Sequence, residues 1–233
     1  MDRERAARSV DIGALKKTLA RRFGLAPLVM GLFFFLPAGT LDYWQAWAYM
    51  ALLLVAMFLV IVRFLRRAPE VLQRRTNWRE KEPAQKAIIY GSYPIFLAVF
   101  LLPGLDRRFG WSMVPAWLVV AADAVILAAY LLFARVMREN RFLSRVVEVD
   151  REHEVIRTGP YAVVRHPMYA AVIPMFVLSP LALGSYWALI PAAFIPIVVV
   201  LRILNEENVL AGSLPDYAEY TRQVKYRLIP RVW

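Results

Sequence analysis

The stretch that decides the fold is WQAWAYMALLLVAMFLVIV, residues 44–62, which holds no charged side chain. About 20 apolar residues in a helix cross the hydrocarbon core of a bilayer, so this stretch predicts a transmembrane helix. Five further apolar segments accompany it, at roughly 23–38, 86–103, 114–134, 170–183 and 186–204. The last two are short enough to form a tight hairpin that does not fully cross. We therefore predict an all-α, polytopic transmembrane helical bundle of five to six spans.

The charged residues are grouped between these apolar segments. The chain carries 29 Lys and Arg against 18 Asp and Glu, a net charge of +11, while 60% of its residues are hydrophobic. With six spans and both termini in the cytoplasm, 27 of the 29 cations fall on the cytoplasmic side, and only Arg107 and Arg108 fall opposite. Lys and Arg collect in cytoplasmic loops, so the pattern predicts this orientation. The charge therefore indicates topology and not nucleic-acid binding, since no basic and aromatic module lies outside the spans.

The charge blocks also divide the chain into three regions. We expect residues 1–22 to be a basic amphipathic segment, because Ile12, Leu15 and Leu19 share one helical face, as in a helix lying on an anionic membrane surface. A disordered basic tail fits equally well. Residues 23–134 form a four-span membrane region, in which the charged loop at 63–86 is expected to be a solvated connector. We expect residues 135–233 to form a third region, with a loop, a helical hairpin and a C-terminal segment.

The pattern most typical of a functional site is GPYAVVRHPMY, residues 159–169, just before an apolar segment. Gly159-Pro160 favours a turn, and Pro167 biases His166 away from helical angles. Irregular backbone that carries aromatic and titratable groups at a bilayer boundary is costly unless it lines a site. We therefore expect Tyr161 and His166 to lie on a bent path that can surround a ligand.

A second polar group, RILNEE at 202–207, follows the last apolar segment. Arg202 and Glu206 are four residues apart and would share one helical face. An ion pair within the helix, beside an exposed Glu207, is one interpretation. The other is functional, because the predicted topology brings this helix end to the same bilayer face as Tyr161 and His166. Six polar and aromatic side chains would then converge on one cytoplasm-facing cleft.

Taken together, three patterns resemble the isoprenylcysteine carboxyl methyltransferase family. They are Gly159-Pro-Tyr-x-x-x-Arg-His-Pro-x-Tyr169, Arg202-x-x-x-Glu-Glu-x-x-Leu210, and the C-terminal pair Tyr217-x-x-Tyr220 with Tyr226-Arg-Leu-Ile-Pro230. The resemblance covers roughly residues 137–231 and implies that residues 135–233 are the catalytic region, with a cofactor-binding loop. It implies an integral membrane methyltransferase that uses S-adenosyl-L-methionine without a Rossmann domain, and the chain indeed has no glycine-rich dinucleotide motif.

The resemblance also implies roles for particular residues. Arg202 faces the methyl acceptor and, with Glu206, carries the catalytic role. The acceptor implied is a lipophilic molecule, above all an isoprenylcysteine carboxylate, that reaches the site from the lipid bilayer. The cofactor is held by residues of the loop, of the following helix start and of the last span: His153, Glu154, Val155, Ile156, Tyr161, His166, Pro167, Met168, Tyr169 and Glu206.

Several alternatives stay open at this point. The same cofactor can methylate a lipid amine or a small thiol. Sterol double-bond reductases, which use NADPH, carry a similar Arg-His-Pro and Tyr-x-x-Tyr pattern. A transporter or scaffold would need more polar residues within the spans than this chain has. A metal site is not expected, because the chain has no cysteine and only two histidines.

Overall fold

The structure, a computed structural model, describes residues 10–76, 80, 82–144 and 154–233. This part of the chain is helical and has no strand. Its helices are α1 Ile12–Ala38, α2 Trp44–Arg67, α3 Pro69–Thr76, α4 Pro83–Phe109, α5 Ala116–Glu139, α6 Pro167–Val177, α7 Ser179–Ala182, α8 Leu189–Ala192, α9 Ile195–Ser213 and α10 Tyr217–Gln223.

Five helical stretches are long and apolar enough to cross a membrane: α1, α2, α4, α5 and the α8–α9 pair, with α6–α7 forming a shorter apolar unit. The loops that join α1 to α2, α4 to α5 and α7 to α8 meet at one end of the bundle, which we call the far end. There the Tyr43 hydroxyl donates to the Leu183 carbonyl, and Ser185 bonds the Asp106 carboxylate. The described part of the chain therefore passes along the bundle six times, and the fifth pass is made of the short helices α6 and α7. The predicted polytopic all-α bundle is confirmed.

The first span differs from its prediction at its start. Residues 12–38 form one continuous helix. Asp11 is its N-cap, and the Asp11 side chain accepts the Ala14 N–H at 2.9 Å. Leu15 is buried and packs with Phe64 of α2 and Val71 of α3. Residues 12–22 thus continue without a break into the first span, and Leu15 and Leu19 of their predicted apolar face pack against the protein. Residues 1–9 of that segment lie outside the described residues.

The loop at 63–86 is also more ordered than a solvated connector. It contains α3, whose Val71 and Leu72 are buried. Arg75 at the end of α3 donates to the Ser144 carbonyl at 3.2 Å and to the Met168 sulfur at 3.4 Å. The expectation of a solvated connector is therefore wrong for residues 69–76, which pack against the end of the bundle opposite the far end.

The helices approach most closely where α4 crosses α1. Gly104 of α4 faces the Phe34 carbonyl of α1, and a Cβ atom at this glycine would lie 2.7 Å from that oxygen. A core of buried apolar residues surrounds the crossing and includes Phe34, Tyr49 and Ile126. Close packing of this kind fixes the spans as a frame for the opposite end of the bundle, where the polar motifs lie.

Candidate active site

A solvent-open cleft lies at the end of the bundle opposite the far end, which we call the cleft end. Its space, counting the open mouth, is about 870 Å³. The end of α5, the loop before α6, the first turn of α6, the second half of α9 and α10 surround it. The described lining residues are Asn140, Phe142, Leu143, Ser144, Glu154, Val155, Ile156, Tyr161, Arg165, His166, Met168, Tyr169, Arg202, Glu206, Leu210, Leu214, Tyr217 and Tyr220.

The loop before α6 bends sharply at Gly159. This residue has φ +56°, a conformation that favours glycine, and a Cβ there would lie 2.7 Å from the Glu139 Cδ. The 3₁₀ turn Gly159–Ala162 follows and buries Tyr161. Asn140 donates to the Tyr161 hydroxyl at 3.0 Å, and the Tyr220 hydroxyl donates to the Tyr161 carbonyl at 2.8 Å. The hydroxyl and the backbone carbonyl of Tyr161 are therefore both held by neighbouring elements at the wall of the cleft.

The start of α6 connects the loop to α9 through Tyr169. Pro167 is the first residue of α6, where a missing N–H costs nothing. One turn in, the Tyr169 hydroxyl donates to Glu206 Oε2 at 2.8 Å, and Arg202 Nε lies 3.4 Å from the same hydroxyl. The Tyr169 hydroxyl thus links the two polar residues of α9. Arg202 and Glu206 are side by side on the helix, as the spacing predicts, with Tyr169 between them.

Glu207, the next residue of α9, turns away from Tyr169 towards two arginines and a histidine. Its Oε1 lies 2.9 Å from Arg165 Nε and 3.2 Å from His166 Nε2, and its Oε2 accepts from Arg227 Nε at 2.8 Å. The Glu207 side chain is only 12% exposed. The exposed Glu207 of the ion-pair interpretation is therefore wrong, because this carboxylate is buried by the partners that neutralise it.

The tyrosines at the cleft keep their protons. Burial is the main factor that raises the pKa of Tyr161, Tyr217 and Tyr220 above the ordinary tyrosine value. Their hydroxyls are therefore neutral at physiological pH and able to donate hydrogen bonds. The Tyr217 hydroxyl is buried and has no hydrogen-bond partner among the described residues. Such a group is a candidate contact for a ligand.

Residues 117–212 match the model of the isoprenylcysteine carboxyl methyltransferase (ICMT) family. The predicted resemblance to the ICMT family is confirmed over these residues. No curated protein matches the chain. The match to the ICMT family and the five long apolar helices found among the described residues together indicate an integral, multi-pass membrane methyltransferase.

The match to the ICMT family covers most of the cleft, from Asn140 to Leu210, and leaves out Leu214, Tyr217 and Tyr220. Nine of the predicted site residues line the cleft: Glu154, Val155, Ile156, Tyr161, His166, Met168, Tyr169, Arg202 and Glu206. Pro167 is buried beside them as the first residue of α6. His153 lies outside the described residues.

Several residues at the cleft were not among the predicted site residues. Arg165 and Asn140 line it, and so do Tyr217 and Tyr220 of α10. Arg165 and the two tyrosines stand within the ICMT-like patterns, so those patterns could have indicated them. Asn140 follows a charged helix end and has no such signal. Its contact with Tyr161 joins residues 21 positions apart, which a local pattern does not reveal.

A second cavity, entirely different in character, lies among the spans. Its space, counting the opening, is about 1040 Å³. Apolar and aromatic side chains from five helices line it: Ala26, Val29, Met30, Phe33, Phe34, Tyr49, Leu53, Leu54, Met57, Phe100, Tyr130, Met175 and Phe176. Met175 and Phe176 follow Met168 and Tyr169 of the cleft by seven residues. The same face of α6 therefore lines both spaces, about 10 Å apart along the helix.

Proposed function

We propose that this protein transfers a methyl group from S-adenosyl-L-methionine to a lipophilic carboxylate, most simply that of an isoprenylcysteine. The observation that carries the proposal is the Arg202–Tyr169–Glu206 chain in the ICMT-matched region. It places a fixed cation and a carboxylate on either side of one hydroxyl at the cleft wall. A cation suits an anionic acceptor, and a carboxylate suits the hydroxyls or positive groups of the donor.

The residues of the cleft fit this cofactor. The cleft combines polar side chains with aromatic and aliphatic ones, as small-molecule sites do. Glu154 and Glu206 offer carboxylates to ribose hydroxyls or to an ammonium group. Tyrosine rings stabilise a positive charge placed over their faces. The unpartnered Tyr217 hydroxyl supplies one further donor.

When bound, the cofactor would supply a methyl group on a positively charged sulfur. A carboxylate oxygen would form a bond to the methyl carbon in line as the carbon–sulfur bond breaks, and S-adenosylhomocysteine would leave. Arg202 would hold that carboxylate, because a guanidinium grips both oxygens at once. Its Nε contact with Tyr169 limits its rotation. The acceptor is already ionised, so no protein base has to remove a proton. The remaining task of the protein is to align the two reactants and exclude water.

The apolar cavity supports a lipophilic acceptor. Its lining is almost wholly apolar and lies within the spans, where a hydrocarbon chain is stable. The shared face of α6 puts this cavity about two helical turns from the cleft. We propose that the apolar part of the acceptor enters laterally from the bilayer and lies there, with its carboxylate at Arg202.

The charge distribution supports a cytoplasmic cleft. Among the described residues, Arg107 and Arg108 lie at the far end, and the other Lys and Arg residues belong to segments at the cleft end. We propose that both termini and the active site face the cytoplasm, where the cofactor would be available. The described lining residues all lie at or after Asn140, which supports residues 135–233 as the catalytic region.

Calorimetric titration of the detergent-purified protein with S-adenosylhomocysteine tests the proposal. We expect a dissociation constant on the order of micromolar. Glu206→Ala and His166→Ala should each weaken binding at least tenfold, while Glu219→Ala, a change at an exposed residue of α10, should leave it unchanged. Absence of binding by the unmodified protein would contradict the methyltransferase proposal, and NADPH would then be the ligand to titrate.

A further inference from the structure

Three side chains from two segments, the loop before α6 and the segment after α10, meet at the Glu207 carboxylate of α9. One oxygen, Oε1, contacts Arg165 Nε at 2.9 Å and His166 Nε2 at 3.2 Å, and the other, Oε2, accepts from Arg227 Nε at 2.8 Å. Arg165, His166 and Glu207 are 8%, 4% and 12% exposed. A buried carboxylate contacted on both oxygens is held in one orientation and, in turn, orients the groups that contact it.

The same two loop residues are also held through their backbone. The Arg165 N–H donates to the Tyr226 carbonyl at 2.9 Å, and the His166 N–H donates to the Arg227 carbonyl at 2.9 Å. Tyr226 and Arg227 belong to the segment after α10, beyond the region that matches the ICMT family. Residues 165–166 therefore lie between the C-terminal segment, which fixes their backbone, and Glu207, which fixes their side chains.

We infer that Glu207 is a positioning residue that holds Arg165 and His166 at the cofactor cleft, through a latch completed by Arg227 of the C-terminal segment. This inference rests on the proposed function, because it assigns the latch to the binding of the methyl donor. A carboxylate that accepts from His166 Nε2 keeps the proton on that nitrogen in the neutral ring. His166 then has Nδ1 as its acceptor toward the cleft ligand.

The adjacent residues Glu206 and Glu207 have different roles, one at the cleft wall and one in the latch. Successive residues of a helix point about 100° apart. Glu206 therefore reaches Tyr169 at the cleft, whereas Glu207 reaches the latch. Removal of Glu206 takes away a lining group, while removal of Glu207 leaves the lining chemically intact but frees Arg165 and His166. The two variants should thus lose cofactor affinity for different reasons.

Titration of Glu207→Gln with S-adenosylhomocysteine tests the latch, and Glu219→Gln, a change at an exposed side chain of α10, is the matched control. We expect at least a tenfold higher dissociation constant for Glu207→Gln and an unchanged one for the control. The amide nitrogen would face either Arg227, or Arg165 and His166, in place of a carboxylate oxygen. Equal affinity of Glu207→Gln and the unmodified protein would overturn the inference. Absence of binding by the unmodified protein would contradict the proposed function instead.

Arg227→Gln tests the latch from its other side, which matters if Glu207→Gln does not fold. We expect a loss of affinity of at least threefold for this variant alone. In the double variant the losses should not add, because both changes break one network. Fully additive losses would overturn the inference.

Nitrogen-15 NMR of histidine gives a reading that a purely structural role of Glu207 would not change. The chain has two histidines, so a His153→Asn variant assigns the His166 signals by subtraction. In the ligand-free protein we expect one tautomer, protonated at Nε2, and a mixed population in Glu207→Gln. Identical His166 spectra in both proteins would overturn the inference.

Discussion

The two ends of the bundle both bury polar side chains, but they arrange them differently. At the far end, Asp106 is 1% exposed and accepts from Ser112 and Ser185, so its carboxylate is enclosed by the protein. At the cleft end, Glu206 bonds Tyr169 at the wall of a space open to solvent. A polar group whose hydrogen bonds are all made within the protein stabilises the fold, whereas a polar group that lines an open cleft can bind a ligand. Burial of polar groups alone therefore does not indicate a site.

The largest expected effect is at Arg202. Arg202→Lys keeps the charge but loses the fork of donors and the Nε contact with Tyr169. We expect methylation of a prenylated cysteine to fall about 100-fold in kcat/KM, which corresponds to about 2.7 kcal/mol. Affinity for S-adenosylhomocysteine should change by less than about threefold. Steady-state assays and titration on the same preparations measure both. Full turnover with unchanged acceptor affinity would contradict the clamp role of Arg202.

The corresponding change at the far end is Asp106→Asn. An amide nitrogen cannot accept hydrogen bonds from the Ser112 N–H or the Ser185 hydroxyl, so one buried donor loses its partner. We expect the free energy of unfolding in mixed detergent to fall by about 2 kcal/mol. Affinity for S-adenosylhomocysteine should stay within twofold of the unmodified protein. If this variant lost cofactor affinity while it stayed folded, the two ends would not be separate in function.

The spans and the loop bend could be predicted from sequence because their signals are local. Hydropathy marks each long apolar helix, and Gly159 and Pro167 mark the bend and the start of α6. The amphipathic pattern at Leu15 and Leu19 was also correct as a pattern. It does not say whether the apolar face packs on lipid or on protein, since both are equally apolar surroundings.

The supporting contacts of the site could not be predicted in this way. Glu207 meets His166 across 41 positions and Arg227 across 20. A helical pattern places Glu207 on a face of α9 but does not say what faces it. The same holds for the carbonyls of residues 226 and 227, because backbone acceptors carry no sequence signal. The ICMT-like patterns indicate which side chains matter without showing which of them contact one another.

The smallest expected effects are at the two tyrosines of α10. They allow the comparison between a bonded and an unbonded polar group to be made within the cleft end itself. The Tyr220 hydroxyl donates to the Tyr161 carbonyl at 2.8 Å, while the buried Tyr217 hydroxyl has no partner among the described residues. Tyr220→Phe should therefore lower the free energy of unfolding by about 1 kcal/mol. Tyr217→Phe should not lower it, because it removes an unsatisfied group, but it should weaken binding of S-adenosylhomocysteine about threefold to tenfold if that hydroxyl contacts the ligand. Unfolding in mixed detergent and titration, run on both variants, measure the two effects. A Tyr217→Phe variant that binds as tightly as the unmodified protein would remove this hydroxyl from the cofactor contacts and assign it to the apolar wall of the cleft.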